Sequence, residues 1–261
     1  MRCVANNDAQ PQCQRIADQI AADIRDGLRR GVAEGAGRSQ SQTPNAYRRH
    51  QLRRRGFRHQ VYLTLSTGIG GAIVIDRQAY RGSQYLAGEV GHMTIVPDGP
   101  ACTCGNFGCL EAIASGTAIG LRGSQLLLQE RSPMLATLQQ EQPQAPLSEL
   151  VFRAAQLGDP ACSDVIRQVA KYLGIGLANL VQTLNPEAIV LGGGVMRNAD
   201  VLIPLTVAEM NQHLFKIQRG AVSVVQATLG DQSGLWGALQ LITTNTAPIS
   251  SHGMFRGVVP S

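Results

Sequence analysis

The sequence predicts an α/β fold, and three observations carry that reading. Apolar residues alternate with period two from Val61 to Leu65, then recur at spacings of three and four from Ala161 to Leu184. Short β-prone runs at Ala188 to Leu191 and Val222 to Val225 are each followed by helical stretches. No internal repeat is visible in the sequence.

The elements follow in chain order. Ile16, Ile20, Ile24 and Leu28 lie on one face of a helix expected over Cys13 to Arg30, whereas Gly31 to Gln60 loses periodicity and reads as loop or disorder. Val61 to Leu65, a glycine-rich turn from Ser66 to Gly71, and Ala72 to Ile75 form a hairpin. Residues 84 to 111 are rich in Gly, Pro and Cys without periodicity, so order there needs another source. Helices are expected over Leu110 to Gln129 and Leu147 to Leu157, joined by a polar connection. A long amphipathic helix then runs from Ala161 to Leu184, softened by Gly174 and Gly176 and stopped by Asn185-Pro186. Strand Ala188 to Leu191, turn Gly192 to Gly194, helix Val201 to Leu214, strand Val222 to Val225 and a helix near Gly234 to Leu241 complete the pattern.

Composition bounds the function classes. The 261 residues, 44% of them hydrophobic, suffice for one large or two modest cores. No run reaches the eighteen apolar residues of a membrane span, and the first ten residues lack a secretory leader pattern, so a cytoplasmic protein with no membrane partner is expected. The net charge of +5 is uneven: residues 1 to 60 carry twelve Arg against five acids, and the remainder eleven Lys and Arg against thirteen. A basic arm can bind nucleic acid or an anionic surface, or equally be a solvated, poorly ordered tail; nucleic acid is the less expected partner.

Three of the six cysteines fall within eight residues, Cys102-Thr-Cys104-Gly-Asn-Phe-Gly-Cys109, with His92 upstream. A structural zinc takes four Cys or His ligands in a tetrahedron, and His92, Cys102, Cys104 and Cys109 supply that set. Gly105 and Gly108 let the backbone turn tightly, and Pro97 and Pro100 stiffen the link. Unconnected buried cysteines, or a disulfide with one free thiol, are the competing readings. Ser66-Thr67-Gly68-Ile69-Gly70-Gly71 lets backbone N–H groups and a hydroxyl approach phosphate oxygens, though a plain hairpin turn would use the same residues. Gly192-Gly193-Gly194 after a strand suits a nucleotide lying against the backbone, without the third glycine of the dinucleotide pattern.

Taken together, Leu65 to Gly71, Ala87-Gly88-Glu89-Val90-Gly91-His92, Cys102 to Glu111 and Asn185-Pro186-Glu187 to Gly194 resemble the ROK family of sugar kinases and related repressors, which includes bacterial glucokinases. The resemblance covers about residues 61 to 242. It implies an actin-like (ribonuclease H-like) ATPase fold, with segment 1–60 a diverged basic remnant, 61–242 the ROK domain holding zinc loop 92–109, and 243–261 a tail. Glu89, His92 and Glu111 would hydrogen-bond sugar hydroxyls, Thr67, Gly68, Gly70 and Gly71 would face ATP phosphates, and Gly192, Gly193 and Gly194 would border the adenosine.

The resemblance further implies ATP-dependent phosphorylation of a hexose such as glucose, with Mg²⁺ on the phosphates and a homodimer. The family's catalytic Asp lies in an Asn-Asp-Ala-Asn run; here Asn6-Asn7-Asp8-Ala9-Gln10 matches it, making Asp8 the candidate base and Asn7 a sugar contact. Gln10 replaces the second Asn, and Ser66 replaces a usual Gly. The N-terminal Asp-x-Gly-Gly-Thr-Lys phosphate loop and most of the first domain have no counterpart in the sequence, which reads as an N-terminally truncated member. The alternative reading is a non-catalytic sugar-binding or transcription-regulatory member.

Overall fold

A computed structural model describes residues 57–84 and 86–227 of the chain. The helices expected at Cys13 to Arg30 and Gly234 to Leu241, like Asn7 and Asp8, lie outside the described residues. Five strands form one sheet, β1 (Gln60–Leu65), β2 (Ile69–Ile75), β3 (Gln78–Tyr80), β4 (Ala188–Gly192) and β5 (Ser223–Gln226), in the order β3-β2-β1-β4-β5. β1 pairs antiparallel with β2, Leu65 opposite Ile69, and parallel with β4, Gln60 opposite Ala188. β4 and β5 are parallel, and β2 and β3 antiparallel.

Alternation along β1 decides what each face buries. Val61, Leu63 and Leu65 join Ile189 and Leu191 of β4 in the main core, while Tyr62 turns to the other face with Ala72 and Val74. Six helices build the main core: α1 (Leu110–Ala114), α2 (Gly116–Leu128), α3 (Pro133–Glu141), α4 (Leu147–Gln156), α5 (Pro160–Leu184) and α6 (Ala199–Gln212). The 25-residue α5 is the spine, burying Val165, Val169, Leu173, Leu177, Leu180 and Val181 at the spacings read from the sequence. Gly174 and Gly176 do not break it, because each is a contact point: a Cβ at Gly174 would meet the Thr206 carbonyl of α6, and one at Gly176 the Leu110 side chain of α1. Asn185 ends the helix in the left-handed conformation, φ 44° and ψ 55°.

The motif residue Glu187 has a structural task. Its backbone N–H donates to His59 O at 2.8 Å and its carboxylate accepts from His59 N at 3.1 Å and from Arg58 N, extending the parallel rung between β1 and β4.

The structure departs from the sequence reading at three places. The helix expected over Leu110 to Gln129 is two helices, because Ser115 is extended (ψ 166°) and its hydroxyl oxygen caps Ala118 N–H. The connection expected to be merely polar contains α3, started by Ser132 as cap and Pro133 at its first position. The glycine turn is shorter than expected, since β2 begins at Ile69 and takes Gly70 and Gly71 into the strand.

Two helix starts are fastened to each other. Ser132 Oγ, capping Leu135 N–H at 3.1 Å, donates to Asp159 Oδ2 at 2.7 Å, while Asp159 Oδ1 accepts from Cys162 N–H at 2.8 Å. Burial pushes the Asp159 carboxyl up, but the Cys162 N–H and Ser132 hydroxyl outweigh it and hold the group below the ordinary carboxylate value. A carboxyl lowered on folding stabilises above its unfolded pKa and loses that contribution as pH falls through the folded one. Asp159→Ala should therefore cost about 2 kcal/mol at pH 7. The difference between variant and parent in urea unfolding should shrink as the solution is acidified below about pH 4.

Candidate functional site

The Cys/His segment is shaped by its backbone before any side chain is considered. Thr94 bridges to Cys109 and Ala101 to Phe107, Ile95 N–H donates to Gly108 O at 2.8 Å, and Cys102 N–H donates to Asn106 O at 2.8 Å. Gly108 sits at φ 66°, and a Cβ there would collide with the Val96 carbonyl, so only glycine closes this ribbon. The ribbon returns Cys109 beneath His92 and starts α1 directly after it.

Four ligand atoms then converge. His92, Cys102, Cys104 and Cys109 each place one within 4.8 Å of the others. Cys102 Sγ lies 3.6 Å from His92 Nδ1, and Cys104 Sγ lies 3.7 Å from Cys109 Sγ. Zinc bonds of about 2.3 Å to sulfur and 2.0–2.1 Å to nitrogen require tetrahedral edges of about 3.6 Å for N–S and 3.8 Å for S–S, so the donor set fits the ion. Burial, then the neighbouring Cys104 and Cys102 thiols, push the Cys109 thiol up to about 12, whereas the Asn106 backbone lowers Cys104. A divalent cation would supply the charge that lets the Cys109 thiol ionise. The second ring nitrogen of His92, Nε2, faces Glu89 Oε2 at 3.8 Å.

The glycine segments meet at the carboxyl ends of two neighbouring strands. β1 and β4 run parallel, so their carboxyl ends, the Ser66-Thr67-Gly68 turn and Gly192-Gly193-Gly194, lie side by side. Gly193, at φ 91°, approaches so closely that a Cβ would strike the Leu65 carbonyl, while at Gly194 no described atom lies within 4 Å of the Cβ position. The turn's carbonyls are occupied: Gly116 N–H donates to Ser66 O at 2.7 Å and Thr117 N–H to Thr67 O at 3.4 Å. Among the described residues, neither Thr67 nor Gly68 has a backbone acceptor for its N–H. The carboxyl edge of a parallel sheet is where open α/β folds bind ligands.

Both regions touch. Gly71 packs inside β2 against Val90, with no room for a Cβ between them, and Gly91 abuts the Ile69 carbonyl. Glu111, two residues beyond Cys109, reaches the turn and accepts from Ile69 N–H at 2.8 Å. The structure thus brings Thr67, Gly68, Gly70, Gly71, Glu89, His92, Glu111, Cys102, Cys104 and Cys109 into one neighbourhood, with Gly192 to Gly194 along the next strand end. The anchoring bond of Glu111 had no signal in its spacing; the two N–H groups of α2 were foreshadowed only by Ser115-Gly116, a cap pattern inside an apparent helix.

The mixed sheet and its helical layer belong to an actin-like ATPase fold, that of the solved ROK glucokinase and hexokinase structures on which the chain superposes. The chain belongs to the ROK family, whose sequence profile matches residues 45–245. It is 36% identical over 193 residues to a glucokinase of Halalkalibacterium halodurans, covering 72% of this chain and 57% of that protein. It is 28% identical over 182 residues to the xylose repressor of Bacillus subtilis, covering 70% and 43%. Among solved structures, a ROK family glucokinase from Streptomyces griseus in complex with glucose and AMPPNP superposes with a TM-score of 0.66 at 31% identity, over 85% of this chain and 66% of that one. The chain thus spans about three-fifths of the length of these glucokinases. No helix among the described residues is long and apolar enough to cross a membrane.

Proposed function

We propose that the chain carries the sugar- and nucleotide-binding half of a glucokinase-like enzyme, transferring the γ-phosphoryl group of ATP to a hexose such as glucose. The observation that carries this is the pair of glycine turns at adjacent parallel strand ends, one whose Thr67 and Gly68 N–H groups have no backbone acceptor among the described residues, the other at Gly194, where no described atom crowds the Cβ position. Free N–H groups in a tight turn suit phosphate oxygens, and an open glycine suits an adenosine lying flat. The similarity to a glucokinase solved with glucose and AMPPNP supports the same reading.

In this reading residues 61–242 form the ROK domain between a basic segment, 1–60, and a tail, 243–261. His92, Cys102, Cys104 and Cys109 hold a zinc that fixes the ribbon; its contribution is structural, ordering the loop that presents the sugar-binding groups. Glu89 and His92 Nε2 accept from and donate to neighbouring hydroxyls, as does the Glu111 oxygen not committed to Ile69. Asp8, next to Asn7, takes the proton of the attacking hydroxyl, and Mg²⁺ accompanies ATP. A homodimer in the cytoplasm completes the proposal.

The test is coupled detection of ADP release with the full chain, ATP, Mg²⁺ and a panel of hexoses. Turnover should require sugar and fall by at least about 100-fold in Asp8→Ala. A folded, zinc-loaded chain that binds hexose without turnover would instead support a sugar-responsive, non-catalytic member, the reading favoured by the similarity to the xylose repressor.

A further inference from the structure

Glu111 is half-buried between two regions that the sequence keeps more than 30 residues apart, and its two oxygens have different neighbours. Oε2 accepts from Ile69 N–H at 2.8 Å and lies where a side chain at position 68 would have to go, so Gly68 leaves the room this carboxylate uses. Oε1 faces Cys102 Sγ at 3.9 Å. Cys109 is the cap residue of α1, placing Glu111 in the first turn of a helix whose start is set by a metal-ligating residue. On its other side the turn is gripped by Gly116 N–H on Ser66 O. The three-residue loop between Leu65 and Ile69 is therefore held from both sides by one short stretch of chain, 109 to 116.

We infer that Glu111 is a positioning residue through which the Cys/His loop sets the shape of the Ser66-Thr67-Gly68 turn. When the four ligands are drawn together, the start of α1 is fixed, Glu111 Oε2 is presented to Ile69, and the turn is held with the Ser66 and Thr67 carbonyls on N–H groups of α2, the Thr67 and Gly68 N–H groups having no backbone acceptor among the described residues. When the ribbon is loose, the carboxylate has no fixed origin and the turn loses the Glu111 attachment, keeping the bonds from Gly116 and Thr117 N–H. Metal occupancy thereby governs the readiness of the turn for an anionic group, at a distance from the turn and without contact with it. The inference rests on the preceding reading only where it names a nucleotide phosphate as that group; the coupling itself does not.

The experiment is residue-resolved amide hydrogen exchange on the full chain, zinc-loaded and after chelation, in the parent, Glu111→Ala and Glu111→Gln. In the loaded parent the Ile69 amide should exchange at least about 10-fold more slowly than after chelation, while Leu173 in the core changes little. In Glu111→Ala, zinc content should remain at the parent level, yet Ile69 should exchange fast with or without metal. Glu111→Gln, whose amide oxygen still accepts, should recover most of the protection. Protection of Ile69 that survives in zinc-loaded Glu111→Ala, or that ignores chelation in the parent, overturns the inference. Should the alanine variant fail to fold, the glutamine variant and the chelated parent decide it: the same protection in the parent with and without metal overturns it. ADP release is followed in parallel. Absent turnover with this exchange pattern removes the kinase reading and leaves the coupling standing, whereas turnover with metal-independent exchange does the reverse.

Discussion

Cys109→Ser should lose stoichiometric zinc and about 4 kcal/mol of unfolding free energy, the contribution of a ligand present at a thousandfold excess over its Kd. Serine is a good test because it favours the opposite result on other grounds. Cys109 occupies the cap position of α1 with extended backbone, φ −61° and ψ 147°, and makes no side-chain cap bond there. A serine hydroxyl caps helices better than a thiol, and the two side chains are close in size. If the cysteine were only a small buried group, the variant would be as stable as the parent or more so. If it closes a tetrahedral site, three ligands remain and affinity collapses. Metal content by elemental analysis, with urea unfolding in the presence and absence of chelator, separates the two outcomes. The chelator should shift the parent midpoint strongly and the variant midpoint hardly at all.

The second large effect is expected from Gly91→Ala. This glycine is buried in the short helical turn Val90–His92, at a backbone conformation open to alanine, so helix propensity alone would favour the change. Its added methyl would instead run into the carbonyl of Ile69 at the head of β2, a backbone atom that cannot swing aside. Either β2 or the 88–92 segment must shift. The expected cost is about 3 kcal/mol. Because the segment carries Glu89 and His92, the proposed activity should fall with it, mainly through weaker hexose binding. A variant with unchanged stability and unchanged KM for sugar would show that this contact is looser than drawn.

Elements whose signal is local were legible in the sequence. The spine helix α5 announced itself by seven apolar residues at three and four spacing, and its end by Asn185-Pro186. The convergence of His92, Cys102, Cys104 and Cys109 was legible because three thiols in eight residues leave few alternatives, and the positive φ of Gly105 and Gly108 matches the tight turn expected of them. What was missed depended on contacts between segments. The break at Ser115 exists because Gly116 must donate to Ser66, some fifty residues earlier, and nothing in the helical periodicity records that obligation. α3 carried a visible start in Ser132-Pro133, obscured by a run of Gln and Glu that looked like solvent-exposed connection. Gly71 reads as a turn residue by type, yet its packing against Val90 explains it without any ligand, and Gly68 likewise makes space for Glu111. At these two positions the glycine-rich motif interlocks the protein on itself, which residue type alone does not reveal.

The position of β1 in the sheet has a consequence during synthesis. β1 lies at the centre, hydrogen-bonded on one side to β2, the next strand in sequence, and on the other to β4, whose first residue, Ala188, pairs with Gln60. The hairpin is complete almost as soon as it emerges, but its other edge has no partner until all of α1 to α5 has been translated, roughly ten seconds later at ribosomal rates. During that interval Val61, Leu63 and Leu65 form an apolar, unpaired strand edge of the kind that recruits other chains. Slower elongation through the helical region would lengthen this exposure and faster elongation would shorten it, so the yield of native protein should follow translation speed and chaperone supply more closely than thermodynamic stability would foretell.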